Sequence, residues 1–434
     1  MHHRHQHLCR EDIMRSQHIS SSRSSDSLPV DQAYNPFSPD QTADPHPMFA
    51  RARREMPVFY SAPLNMWIVT RYDDITAILK DPVRFSSAES LRIHTPLTPE
   101  ALAVLQERYA GGGALVNDDP PAHTRHRALV NKAFTPRRVA EMEPHICQIA
   151  QELIEAFVHD GQADLVRQFA YPLPMIVICE LIGVPRSDMD LVKQWCDEWN
   201  ALMSGRVSSE GQITGARAIV ALHHYFVSLL EQRAQTPQKD LATGLVEARM
   251  EGESSVTVPE MANLLFSVTF GGHETTTKLI SNAVALLLSH PEQWQALRAN
   301  PSLAPNAVEE TLRWDCPLLG MLRTTTEEVE VAGQRLPKGA NVMLMFASAN
   351  RDEQHGVQPD SFDIRRKPSD HLSFGRGIHY CLGAQLARLE GRIALEMLAQ
   401  HLPTLRLQPG RSLVYAPNLV LRGLQSLPVT WEVA

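Results

Sequence analysis

One cysteine in this chain has neighbours whose types and spacing suit metal chemistry. The run Phe374-Gly375-Arg376-Gly377-Ile378-His379-Tyr380-Cys381-Leu382-Gly383 forms a glycine-bent loop, and an amphipathic segment from Leu382 to His401 follows at once. This order predicts a helix whose unpaired N–H groups and dipole face Cys381 and favour negative charge there. A thiolate is a strong axial ligand for haem iron and pushes electron density toward O–O cleavage. The glycines let the loop bend and let its backbone approach a flat cofactor. The other five cysteines, Cys9, Cys147, Cys179, Cys196 and Cys316, are scattered without paired spacing. That argues against a disulfide framework or a zinc site and for a reducing compartment.

A second group of reactive types is Gly271-Gly272-His273-Glu274-Thr275-Thr276-Thr277. Thr257 and Glu260 have capping-box spacing and open a helical pattern that runs to about His290, where Pro291 ends it. The group falls in the middle of this helix, where each glycine costs about 1 kcal/mol relative to alanine. Thr275 lies one turn after Gly271, so its hydroxyl can bond that carbonyl. Positions 271 and 272 leave room for a small ligand beside the backbone. Glu274 and Thr275 point about 100° apart, so a proton passing between them needs a water or a rotating side chain.

A third pair, Glu310 and Arg313, is three apart on a predicted helix. Alone, such spacing describes an ordinary surface ion pair.

Taken together, these segments resemble the cytochrome P-450 family. Phe-Gly-x-Gly-x-His-x-Cys-x-Gly resembles its haem-binding loop, and the acid–threonine pair lies about 107 residues before Cys381, as in the family. The resemblance implies a mainly α fold with small β-sheets (α+β), with haem between a long central helix and the cysteine loop. It implies haem b (iron protoporphyrin IX) ligated by Cys381, with Phe374 and Gly383 in the ligand loop and Gly271 beside the haem. Asp119-Pro120-Pro121-Ala122-His123-Thr124-Arg125-His126-Arg127 is similar to the family segment that grips the haem propionates, which nominates His123 and Arg127; Arg323 and His379 match two further donors. Glu274 becomes the proton source and Thr275 the residue that orients oxygen. Glu310 and Arg313 become a buried pair that locks the fold near the cysteine loop. Phe266, Phe270, Leu318, Leu319 and Met321 are candidate substrate contacts and equally candidate core.

The implied activity is a monooxygenase that activates O2 with electrons from a partner and most often hydroxylates a small, at least partly apolar compound. The electrons come ultimately from NAD(P)H, through a ferredoxin and ferredoxin reductase or an equivalent reductase. A peroxide-driven peroxygenase or a coupling oxidase of the same fold stays open, as does a non-catalytic haem sensor. Asn306 to Glu310, Phe362 to Arg366 and Tyr415 to Asn418 resemble the haem domain of self-sufficient bacterial members, which carry a fused reductase. No Cys-x4-Cys-x2-Cys signature of such a reductase occurs in these residues. The chain departs from the common pattern with Asp352-Glu353 after Asn350-Arg351, and with Gly271 where alanine is common.

The elements that position these groups are also readable. Residues 1–33 are polar and rich in His, Ser and Arg, and read as a disordered tail; His2, His3, His5 and His7 read as solvated. Residues 34–434 read as a single catalytic domain. Pro57 to Tyr60 and Met66 to Thr70 read as two strands, and most of the rest as helix. Ser86 to Pro121, with Gly111-Gly112-Gly113, and Ser204 to Gln212 read as loose substrate-access loops. At 434 residues, 43% hydrophobic and net charge −8, the chain can bury a large core and has no basic face for nucleic acid. No apolar run reads as a membrane anchor or signal core, so a cytoplasmic location is expected. Arg125, Arg137, Arg138, Arg376 and Arg388 are candidates for a basic docking face for an acidic ferredoxin.

Overall fold

A computed structural model describes residues 27–433 except 92, 94, 95, 108–114, 205, 206, 251–255 and 369. Helix accounts for more than half of the described residues, well above the ~30–35% of an ordinary domain. The central helix, Val258–Ser289, opens on the capping box that its sequence announces. The Thr257 hydroxyl accepts from the Glu260 N–H, and the Glu260 carboxylate accepts from the Thr257 N–H. His290 caps its other end, and Pro291 starts a new helix at once. Most of the central helix is buried, as expected of a helix that is apolar on nearly every face. It packs against Pro172–Ile182, Ser209–Gln235, Ala304–Trp314 and Ala384–His401.

A five-stranded sheet flanks this bundle, in the spatial order Val58–Ser61, Met66–Val69, Asn341–Leu344, Met321–Thr325, Phe85–Ser86. Met66–Val69 runs parallel to Asn341–Leu344, with Ile68 opposite Met343; Met321–Thr325 is antiparallel, with Leu322 opposite Met343. Ile68, Leu322 and Met343 are all buried. The sheet joins strands far apart in sequence and carries Met321 and Arg323 on one of them. Near the chain's two ends, Arg422 donates to the Thr42 and Ala43 carbonyls at 2.8 and 2.9 Å and to Asp315 Oδ1 at 2.6 Å.

Three sequence expectations change. The tail boundary at residue 33 is too late: Val30–Ala33 is a short helix, and Val30 and Ala33 pack with Val58 and Phe59 in the sheet core. The polar composition of the first 33 residues hid these two apolar positions, while His2, His3, His5 and His7 lie outside the described residues. The stretch from Ser86 to Pro121 holds a helix, Pro99–Gln106, begun by Thr98, whose hydroxyl accepts from the Ala101 N–H. Gly111, Gly112 and Gly113 lie outside the described residues. In the second loose stretch a long helix already begins at Ser209, with residues 205 and 206 outside the described set. That helix, Ser209–Gln235, is by length and composition apolar enough to cross a membrane. Ile219, Leu222, Phe226 and Leu229 bury its apolar side against the Met189–Met203 and central helices.

Candidate active site

A cavity of ≈ 570 Å³ separates the central helix from the cysteine loop, a size ordinary for a ligand site (~300–1,000 Å³). Cys381, Phe374, His379 and Gly383 line one wall; Phe266, Phe270, Gly271, Glu274 and Thr275 line the opposite one; Arg127 and Arg323 complete the rim. Cβ atoms built on Gly271 and Gly383 would meet nothing within 4 Å among the described residues. Each faces space that a flat group can occupy.

The cysteine loop is fixed from several sides. The Cys381 N–H donates to the Phe374 carbonyl at 2.8 Å. Gly377 holds φ +72°, and a Cβ there would lie 2.5 Å from the Leu79 carbonyl oxygen, so both conformation and space demand glycine. The helix after the loop begins at Ala384, with Gly383 as its cap, rather than at Leu382. Burial pushes the Cys381 thiol up, opposed by the Gly383 N–H, Arg127, Arg388 and the Ala384 N–H. The helix start therefore aids the thiolate without sufficing for it. A metal cation bound there would supply the missing positive charge, since a coordinating thiol is deprotonated outright.

Four donors gather at the cavity edge. His123 and His379 have ring centroids 4.3 Å apart, and the Nε2 atom of each is buried without a partner among the described residues. Burial, Arg323, His123 and Arg127 push His379 down to about 3. Burial lowers Arg323 to about 10, against the pull of Asp119, and also lowers His123 and Arg127. The nearby acids are engaged elsewhere: Asp118 accepts from His126 Nδ1 at 2.8 Å, and Asp119 from the Ser87 N–H at 2.8 Å. Such a cluster is short of negative charge. A flat group carrying two carboxylates and a thiolate-binding iron fits these residues, which is the chemistry of haem.

On the opposite wall, Thr275 Oγ1 donates to the Gly271 carbonyl at 2.9 Å. Thr269 and Thr277 make the same i−4 bond to Leu265 and His273, a pattern that tends to bend helices. Glu274 pairs with Lys278 and accepts from Asn200 Nδ2 at 2.9 Å. Burial alone would raise the Glu274 carboxyl, but Lys278, His273 and Asn200 outweigh it and hold the group below the usual carboxylate range. Phe266 and Phe270 stack 6.0 Å apart, and Leu318 and Met321 also reach the cavity.

Leu319 does not. It is buried on the far side, against Tyr34, Phe49 and Met345. Its segment is extended, so neighbouring side chains point opposite ways; Leu318 faces the cavity and Leu319 the sheet core. The basic face also shrinks. Arg125 donates to Glu260 at 2.9 Å, Arg388 to Glu309 at 2.6 Å, and Arg376 pairs with Asp370. Arg137 and Arg138 remain, Arg137 being 90% exposed and 3.0 Å from Glu141.

Glu310 and Arg313 form a two-pronged buried pair, with both N···O distances 2.8 Å. Arg313 also donates to the Pro359, Ser361 and Asn350 carbonyls, and Glu310 accepts from Arg366 Nε and the Asp363 N–H. The Asn350 amide then bonds Ser373 Oγ and the Leu372 N–H, two residues from Phe374. The pair thus braces the cysteine loop through Asn350, an arrangement lysine cannot copy.

Sequence reasoning missed three cavity-region residues. Lys278, four after Glu274, was readable from helical spacing. Asn200 comes from another helix and carries no local signal. Glu390 lines the cavity, fully buried, with Oε2 unpartnered; burial drives its carboxyl well above the usual value.

Comparisons with known proteins establish the family. The family profile described as "Cytochrome P450" matches residues 190–413. A vitamin D(3) 25-hydroxylase of Pseudonocardia autotrophica is 39% identical over 403 residues, covering 91% of this chain and 95% of that one. The chain belongs to the cytochrome P450 family. This P450 is a haem-binding monooxygenase with the fold its cysteine loop announced. It is also similar to the monooxygenase PikC of Streptomyces venezuelae, 39% identical and covering 91% of this chain and 92% of that one. Among solved structures, P450 CREJ in complex with (4-ethylphenyl) dihydrogen phosphate has a TM-score of 0.88 at 37% identity, covering 93% of this chain and all of that one. An intact type IV self-sufficient P450 monooxygenase has a TM-score of 0.89 at 35% identity, covering 93% of this chain and 53% of that one.

Proposed function

We propose that this P450 holds haem b through Cys381 and hydroxylates an apolar or partly apolar organic compound in the cytoplasm. The chain from about residue 27 onward acts as one catalytic unit. His123, Arg127, Arg323 and His379 take the two propionates. The observation that carries this reading is the position of Cys381 and of the Glu274–Thr275 pair on facing walls of one cavity. Bound haem supplies the oxygen-activating chemistry. The chain's own groups do the rest. Cys381 would supply the thiolate that holds the iron, and Arg127 and Arg388 would steady its negative charge. Glu274 is the acid through which a proton passes toward the cavity, and Thr275, anchored on the Gly271 carbonyl, presents its hydroxyl there. Phe266, Phe270, Leu318 and Met321 exclude water and favour an apolar substrate. Relatives named as hydroxylases of vitamin D(3) and of mycinamicin IV support that substrate class.

Electrons arrive from NAD(P)H through a ferredoxin and its reductase. Arg137 and Arg138 lie on the helix Pro136–Glu141, which packs against the helix that follows the cysteine loop. An acidic carrier docked there sits on the thiolate side. The deciding experiment is Cys381→Ser in the haem-loaded protein. The red-shifted band of the reduced, carbon-monoxide-bound state, a mark of thiolate ligation, should vanish. An unchanged band refutes Cys381 as the ligand.

A further inference from the structure

Glu274 does not face the cavity as a free acid. Its Oε1 accepts from Asn200 Nδ2 at 2.9 Å and pairs with the Lys278 ammonium, one turn further along the same helix. Both side chains of the ion pair are largely buried, at 10% and 14% exposed. The lysine stem runs through a slot that another segment leaves open: a Cβ built on Gly423 would lie 2.3 Å from Lys278 Cγ. Gly423 lies two residues after the stretch Asn418 to Leu421, which lines the cavity. A carboxylate bound twice through one oxygen, next to a threonine already bonded to Gly271, is held away from any partner it must protonate.

We propose that Lys278 is the positioning residue of the proton relay: it keeps Glu274 ionised and turned toward Asn200, so that proton delivery waits on the release of this ion pair. This rests on the relay reading of Glu274 and Thr275. The groups around Glu274 agree with such a role. On its own helix it faces Lys278 and His273. Cys196, on the same helix as Asn200, and Tyr171, which stacks edge-on against His273, both sense its negative charge. Around Tyr171 sit Asp197 and Lys193, which pair with each other at 2.7 Å. Lys278 is thus the one permanent cation in direct contact with the Glu274 carboxylate among the described residues. Without it, burial acts on Glu274 with only His273 and Asn200 to oppose it, and the neutral acid becomes the resting form.

The test uses the full-length, haem-loaded chain in five forms: wild type, Lys278→Met, Lys278→Arg, Glu274→Gln and the double variant Lys278→Met/Glu274→Gln. Urea midpoints are taken from about pH 5 to about pH 8. In wild type Glu274 ionises below its unfolded value, so its stabilisation is complete across this window and is lost only at lower pH. The gap between wild type and Glu274→Gln should therefore be flat. In Lys278→Met the folded value rises above the unfolded one, so the gap to the double variant should shift against Lys278→Met as pH climbs. Lys278→Arg should restore the flat line. In turnover, the alkaline limb of product formed per NAD(P)H should move up by about one pH unit or more, a tenfold change in the protonated fraction, in Lys278→Met and not in Lys278→Arg. Flat gaps in both backgrounds, with superimposable turnover profiles, overturn the proposal and leave Lys278 a packing residue. Should Lys278→Met fail to fold, Gly423→Ala, which displaces the lysine stem, is measured in its place with the same expected shifts. If Glu274→Gln leaves product per NAD(P)H unchanged, the relay reading itself falls, and the stability arm still reports on Lys278.

Discussion

Replacing Arg313 with Met tests whether the buried pair holds the cysteine loop or merely decorates its helix. The guanidinium is almost fully buried and reaches both Glu310 oxygens at 2.8 Å, the Pro359 carbonyl at 2.6 Å, Ser361 at 2.9 Å and Asn350 at 3.4 Å. Breaking a buried ion pair from one side costs about 3–5 kcal/mol. Glu310 would keep Arg366 at 3.1 Å and the Asp363 N–H at 2.9 Å, so the low end applies, about 3 kcal/mol. The Asn350 carbonyl is buried and loses a donor, adding about 1 kcal/mol; Pro359 and Ser361 are partly or fully exposed and recover water. The sum, about 4 kcal/mol, is a large share of a typical stability of ~5–15 kcal/mol. At a urea dependence of about 3 kcal/mol per molar, the midpoint falls by more than about 1 M. Far-ultraviolet circular dichroism reads the helices, and the thiolate-bound haem spectrum reads the loop. The loop should fail first, because Asn350 passes the strain to Leu372 and Ser373. Arg313→Lys keeps the charge without the fork and should lie between Met and wild type. Arg137→Met, at a 90% exposed site, should change nothing. A midpoint for Arg313→Met equal to that of Arg137→Met refutes the bracing role.

Two further outcomes follow from the geometry. Glu390→Gln should gain stability over wild type as pH rises above about 5: the buried carboxyl is held neutral in the folded chain and ionises in the unfolded one, so wild type loses stability with rising pH and the amide does not. Urea midpoints at about pH 5 and about pH 8 check this, and parallel curves refute it. Gly377→Ala places a side chain at φ +72° and 2.5 Å from the Leu79 carbonyl oxygen, strain on the order of 1–3 kcal/mol. The fraction of protein showing thiolate-bound haem should drop, and full retention of that spectrum contradicts the close approach.

The parts of the site that were legible in the sequence are those whose chemistry is local. The Thr257–Glu260 box, the Gly271–Thr275 bond and the Glu310–Arg313 fork each depend on spacing within one helix. The cysteine loop is equally local, because positive φ at Gly375 and Gly377 leaves a mark in residue type. What failed depends on distance along the chain. Leu319 is as apolar as Leu318, and only the strand's orientation decides which of them meets the cavity. Arg125 and Arg388 look free until the fold brings Glu260 and Glu309 beside them. The helix Pro99–Gln106 differs, since Thr98, Pro99 and Glu100 spell an ordinary helix start inside a stretch whose glycines suggest a loop.

Arg422 grips the Thr42 and Ala43 carbonyls across some 380 residues of chain and stacks 3.7 Å over the Tyr415 ring. During synthesis the Thr42 and Ala43 carbonyls therefore wait for this partner until some 380 further residues have been made. Such a long-range clasp closes late and slowly, and until it does the segment it ties down is held by local contacts alone, a state more open to association with other chains. Expression at lowered temperature, or with a chaperone that shields nascent chains, should improve soluble yield more for this enzyme than changes at the cavity would.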